Sequence, residues 1–206
     1  MARNRDPFTL ALQTLRRLAA EGAFAPDQAI IILDEARRLK LSTTPVREAL
    51  AWLGGEGMIE RSPNGGYKGL RQDAPSIRGR YRLRGALLVS AITDAQQAGD
   101  PGLLVASEAE GLNVFLAKIV RLRGDDVLWR AYERVARQLA WLASAEAEVV
   151  PGYAGEVEAL DAAFRQEPAS LAISIERFHH RLEDAAAAIL MMARRPINTR
   201  DDGMGS

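Results

Sequence analysis

The period of the hydrophobic pattern changes once in the first third of the chain, and it changes around a turn. Up to Leu53 apolar residues recur at helical spacing. From Met58 the pattern is extended: Met58-Ile59-Glu60-Arg61-Ser62 and Tyr67-Lys68-Gly69-Leu70-Arg71 are strand candidates on either side of Pro63-Asn64-Gly65-Gly66. Asn-Gly tolerates the positive φ that a tight turn needs, so this segment predicts a β-hairpin.

Three helical segments precede the hairpin. Asp6-Pro7 supplies a capping carboxylate and a proline at the first helical position, Phe8, Ala11, Leu12, Leu15 and Leu18 follow at helical spacing, and Gly22 ends the run. A second short helix is expected from about Pro26-Asp27, with Ile30, Leu33, Ala36 and Leu39 inward. The third opens at Ser42-Thr43-Thr44-Pro45 with Thr44 as cap and Pro45 first in the helix. It buries Val46, Leu50 and Leu53, leaves Thr43, Thr44 and Arg47 outward, and stops at Gly54-Gly55 and Gly57. Three short helices and one hairpin make the winged helix-turn-helix order.

After Asp73-Ala74-Pro75 only helical patterns remain, expected at about 76–98, 102–123, 125–149, 153–166 and 169–195, with breaks at Gly99-Asp100-Pro101, Gly124-Asp125, Pro151-Gly152 and Glu167-Pro168. The expected fold is mainly α: a winged helix-turn-helix (three helices plus a β-hairpin) over 1–73, then an all-helical bundle over 76–196. Residues 197–206 are polar and Gly-containing and are expected to be a disordered tail. Trp129, Tyr132, Trp141, Phe164 and Phe178 recur among aliphatic residues and are expected in the core or an interface. Ala185 to Ala188 would permit a close helix approach.

The formal net charge is zero, but residues 1–84 carry 15 Lys and Arg against 9 Asp and Glu, whereas residues 85–206 carry 12 against 18. A basic first module beside an acidic one suits contact with nucleic acid through the first alone. With no cysteine, disulfides and thiolate metal sites are excluded, which fits a reducing cytoplasm, the expected location. No apolar run is long enough to span a bilayer. The two histidines, and the lack of a phosphate-binding glycine loop or a His-Glu-x-x-His helix, leave little material for an enzyme.

The outward residues of the third helix suit a DNA groove: threonine can bond phosphate or touch a thymine methyl, and arginine can pair with guanine or phosphate. The string Leu41-Ser42-Thr43-Thr44-Pro45-Val46-Arg47-Glu48-Ala49-Leu50, then Leu53, Glu56-Gly57-Met58-Ile59-Glu60-Arg61 and Asn64-Gly65-Gly66-Tyr67, resembles the winged-helix signature of GntR-family bacterial regulators. The resemblance covers about residues 8–71. It implies DNA contacts from Ser42, Thr43, Thr44 and Arg47, and at the wing tip from Asn64 and Gly65, with Gly66 shaping the turn. The chain departs from the signature where Thr43 and Leu33 replace arginines, so operator affinity or preference is expected to differ. Arg78, Arg80, Arg82 and Arg84 are open to two readings, compensating phosphate contacts or a solvated linker helix.

The helical half resembles the fatty-acid-regulator branch of that family, the FCD type, through Leu112-Asn113-Val114-Phe115-Leu116 with Gly124-Asp125, Glu156-Val157 through Ala163, and Glu167-Pro168 through His179-His180. That branch places metal ligands where this chain has Leu112, Leu116 and Val157, leaving only His179 or His180. The resemblance therefore implies a degenerate, metal-free site and no cofactor. His179 and His180 stand as either ligand contacts, one of them facing the interior, or ordinary core and surface residues. The expected function is a homodimeric, sequence-specific transcriptional regulator, a repressor by preference, which binds a double-stranded DNA operator and is open to a small-molecule effector. The alternative is a protein–protein adaptor or antirepressor.

Overall fold

The computed structural model describes residues 6–97, 111–121, 124–166 and 168–195. The chain is mainly helical with a small antiparallel sheet, as its pattern predicts. Helix α1 (Pro7–Ala20) is capped by Asp6, whose carboxylate accepts from the Thr9 amide at 3.2 Å, and buries Ala11 and Leu15 completely. A helix was expected from Pro26-Asp27, but Asp27 takes a positive φ of 59° and Ala29–Ile30 forms a strand, β1. Helix α2 (Ile32–Leu39) starts only after it and ends at Lys40 in the left-handed conformation. Ile30 is buried, but in the strand, and Leu33 is 57% exposed instead of inward. Pairing of Ala29 and Ile30 with Lys68 and Tyr67 overrides helical spacing in this apolar run.

Helix α3 (Thr43–Gly55) begins earlier than its threonine–proline pair suggests: Ser42 is the extended cap residue, and its side chain makes no capping bond. Thr44 is thus inside the helix and not its cap, and Pro45 is its third residue instead of its first. That position tolerates proline, because the first four helical amides have no partner within the helix. Strands β2 (Ile59–Arg61) and β3 (Tyr67–Gly69) are shorter than expected and pair antiparallel, Ile59 opposite Gly69 and Arg61 opposite Tyr67, in the order β1-β3-β2. At the turn the Gly65 amide donates to the Ser62 carbonyl, and Gly65 and Gly66 have φ of 90° and 77°, open to glycine without strain. Ala11, Leu15, Ile30, Ala36, Val46, Ala49, Leu50, Leu53, Met58 and Ile59 form one core under these elements.

A second core lies among α4 (Ala74–Gln97), α5 (Leu112–Arg121), α6 (Asp126–Leu139), α7 (Ala143–Val149), α8 (Tyr153–Gln166) and α9 (Pro168–Ala193). Asp125 caps α6 by accepting from the Val127 and Leu128 amides at 2.8 and 2.9 Å. The continuous helix expected over 125–149 is interrupted by a 3₁₀ turn at Ala140–Leu142, and α7 beyond it packs against α9. The long helices α4 and α9 pack most extensively. Gly85 permits this approach, since a Cβ there would lie 2.9 Å from the His179 Cβ. Tyr132 and Phe178 are buried, and Trp129 and Trp141 are partly buried against the same core. The expected helical stretch 102–110, the Phe164 side chain and the tail 197–206 lie outside the described residues. No described helix is long and apolar enough to cross a membrane.

Candidate nucleic-acid interface

One face of α3 is consumed by the core, with Pro45, Val46, Ala49, Leu50 and Leu53 buried, and this fixes what its other face presents. Ser42, Thr44 and Arg47 are exposed at the N-terminal end and Thr43 is half-buried. Arg47 makes no ion pair or hydrogen bond among the described residues, so its guanidinium stays available to an anionic partner. At the wing, Asn64, Gly65 and Gly66 are exposed. The wing's lysine is differently placed: Lys68 Nζ lies 2.6 Å from Asp27 and 3.2 Å from Glu60, and the hydrogen bond to Asp27 raises its pKa first, that to Glu60 next.

Ile31 and Leu33, 52% and 57% exposed, share a groove with Ser62, Gly65, Gly66, Tyr67 and Lys68. An apolar surface thus lies beside the wing on the side of α2. The spacing of apolar residues could not foretell this, because it assigned Leu33 to the core.

The basic run on α4 turns inward or stays with its own chain. Arg84 is 1% exposed, donates from Nε to His179 Nε2 at 3.1 Å and holds Nη2 4.0 Å from the buried Glu146 carboxylate. Arg78 bonds the Glu183 carbonyl, Arg80 the Arg71 carbonyl, and Arg82 the Glu183 carboxylate. Neither reading of the run allows for a buried Arg84, while Arg78, Arg80 and Arg82 each hold a partner on their own chain.

Tyr81 and Tyr153 donate to the two Glu146 oxygens at 2.8 and 3.2 Å, and burial pushes both phenols up. His179 is buried while His180 is exposed, 3.7 Å from Glu183. Because His179 Nε2 accepts from Arg84, its Nδ1 carries the proton and donates to the Ile175 carbonyl at 2.8 Å. Burial and the Arg84 charge lower its pKa to about 3. With both ring nitrogens used, His179 has none left for a ligand, and His180 sits on the rim of a groove of about 410 Å³ between α4 and α9.

A divalent metal does not fit here. Leu112 and Leu116 are core residues, Val157 is partly buried, and the one inward histidine faces a guanidinium. Among the described residues no three His, Asp or Glu converge on a common point.

Glu56, which caps the C-terminal end of α3, is a junction that sequence patterns did not disclose. Its carboxylate accepts from Arg16 at 2.6 and 3.1 Å and from the Trp52 indole at 2.8 Å, and lies 3.5 Å from Arg137 on α6. Gln138 on α6 donates to the Gly57 carbonyl at 2.6 Å. Burial pushes the Glu56 carboxyl up, but the Arg16 and Trp52 hydrogen bonds and the Arg16 and Arg137 charges outweigh it, and its pKa lies below the ordinary value. The end of α3 opposite Thr44 and Arg47 is therefore fastened to the helical half.

No protein-family model matches the chain, and no curated protein matches it. Solved structures do. The Escherichia coli protein McbR/YncC is similar at 19% identity and a TM-score of 0.55 over 92% of this chain and 99% of that one. A structure described as a GntR transcriptional regulator from Rhodococcus sp. RHA1 is similar at 17% identity and 0.59, over 91% and 99%. A third, described with the words that Lar controls the expression of the Listeria monocytogenes agr system, is similar at 15% identity and 0.52, over 93% and 98%. At these identities the likeness is one of fold: this chain is a winged helix-turn-helix followed by an all-helical unit, in the arrangement of those regulators.

Proposed function

We propose that the protein is a sequence-specific DNA-binding transcriptional regulator, with residues 1–73 as its DNA-binding domain and 76–196 as a metal-free effector-binding and dimerisation domain. The observation that carries this reading is the end of α3 where Ser42, Thr44 and the unpaired Arg47 stand exposed, within a fold shared with solved regulators. A helix end of this kind enters a major groove, where Arg47 pairs with guanine or phosphate and the threonines meet phosphate or a thymine methyl. Thr43 flanks these contacts, and Asn64 and Gly65 reach the neighbouring backbone from the wing. As a homodimer the protein would place two such helices on half-sites about one helical turn apart and repress by occupying the promoter. An effector acts only by binding two arrangements of the heads with different affinity. In the FCD-type reading its place is the helical half, with His180 at a groove rim.

In vitro selection from random duplexes tests this. An enriched pair of inverted half-sites, bound as a two-protomer complex, supports the reading, and the absence of any enriched sequence sinks it. The exposed Ile31 and Leu33 favour a second reading, an adaptor or antirepressor that grips a protein through the head. Failure of selection together with protein capture that depends on Leu33 would favour it.

A further inference from the structure

Where the end of α3 meets α6 the surface opens into a cleft of about 670 Å³, lined by Trp52, Gly55 and Glu56 on one side and by Arg130, Arg134 and Arg137 on the other. Spacings of four and three residues put the three guanidiniums on one face of α6. The carboxylates in the cleft are already engaged: Glu133 pairs with Arg137 at 2.7 Å, and Glu56 is held by Arg16, Trp52 and Arg137. Arg130 and Arg134, both exposed, make no ion pair or hydrogen bond among the described residues. Arg134 lies over the Gly57 backbone, so close that a Cβ on Gly57 would be 2.3 Å from its Nε. Trp52 is 55% exposed, and its indole nitrogen is fixed by Glu56, so the ring is held at the cleft while much of its surface meets water.

Two free guanidiniums facing a held, half-exposed indole, in a space the size of a small-molecule pocket, define a ligand chemistry. We propose that this cleft binds a small, multiply charged anion carrying a planar ring, of the class of nucleoside or aryl phosphates. Its phosphoryl oxygens accept from Arg130 and Arg134, and its ring lies against Trp52. Duplex DNA read by the N-terminal end of α3 is a poor occupant, because Trp52 and Glu56 lie roughly 12–18 Å along the helix from the exposed Thr44. A ligand here touches Glu56, Arg137 and the Gly57 segment at once. It therefore competes for the contacts that fasten α3 to α6 and alters how the head is held.

The test is calorimetric titration of the full-length protein with ATP and, separately, with inorganic triphosphate, without added metal. It reads ligand binding to the protein alone, so it stands or falls independently of DNA recognition. The expected result is saturable ATP binding with a midpoint below about 1 mM, weaker triphosphate binding, and a loss of about tenfold or more in R130A/R134A. Among the described residues neither arginine makes an ion pair or hydrogen bond, so a circular-dichroism melt of the double variant should stay close to the parent. W52A should abolish the preference for ATP over triphosphate. No saturable binding of either anion, or equal binding by R130A/R134A, overturns the proposal. Equal affinity for ATP and triphosphate overturns the ring contact. If the double variant loses duplex DNA and not ATP, the cleft belongs to the DNA path and the proposal is wrong.

Discussion

Substituting Glu56 by alanine removes the carboxylate's contacts with Arg16, Trp52 and Arg137 at the end of α3 and leaves the Gln138–Gly57 hydrogen bond in place. Arg16 presents two nitrogens to this carboxylate at 2.6 and 3.1 Å, with side-chain exposures of 33% for Arg16 and 19% for Glu56. An ionic hydrogen-bonded pair screened to that degree contributes about 1 kcal/mol. The Trp52 indole bond at 2.8 Å contributes about 0.5–1 kcal/mol, and Arg137 at 3.5 Å about 0.5 kcal/mol. Together these predict a loss of about 2 kcal/mol, or a fall in melting temperature of about 4–8 °C for a chain of this size. Only the Arg137 share crosses between the two cores, so a double-mutant cycle of E56A with R137A should return a coupling of about 0.5 kcal/mol. The pH dependence follows from the lowered carboxyl pKa. The contribution is complete at neutral pH and is lost as the pH falls below the ordinary value of 4.5, so wild type and E56Q should converge in acid. Urea unfolding followed by circular dichroism at pH 7 and in acid measures both. Stability of E56A within about 0.5 kcal/mol of wild type at pH 7 would refute the contribution assigned to the Glu56 contacts, and a double-mutant coupling of zero with R137A would refute its role in fastening α3 to α6.

Two further predictions concern the centre of the helical half. Arg84→Met leaves the buried Glu146 carboxylate without its cation and His179 Nε2 without its donor, and should cost about 3 kcal/mol or more. Combining it with E146Q should recover part of the loss, and recovery of none would mean that packing, not charge, governs the site. His179 is neutral in the folded state with a pKa of about 3, whereas an unfolded histidine titrates near 6.5, so between those values the unfolded chain binds the extra proton. Stability should therefore fall as the pH drops from 6.5 towards 3, and H179Q should flatten that slope in urea titrations across the window. An unchanged slope would show that the ring is protonated when folded.

The third helix and the wing were legible because their signals are local: apolar spacing through Val46, Leu50 and Leu53, and a turn whose Gly65 and Gly66 need positive φ. Strand β1 was not, since Ala29-Ile30-Ile31-Ile32-Leu33 is a short apolar run that fits helix and strand alike, and pairing with β3 decides it. The 3₁₀ break at Ala140–Leu142 has no Gly or Pro to mark it. The exposed end of α3 could be read from one helix alone. The burial of Arg84 depends on Glu146 and His179, which come from α7 and α9, and a run of alternating arginines carries no trace of either. The Glu56 junction was hidden for the same reason, as it joins residues of α1, α3 and α6.

The central claim, that the exposed end of α3 reads DNA, is tested most directly by comparing wild type and R47A for a selected operator by fluorescence anisotropy across a salt series. The account predicts that wild type binds in a salt-sensitive manner and resists non-specific competitor, and that R47A loses roughly 1–3 kcal/mol with its fold intact. Unchanged operator affinity in R47A would contradict it.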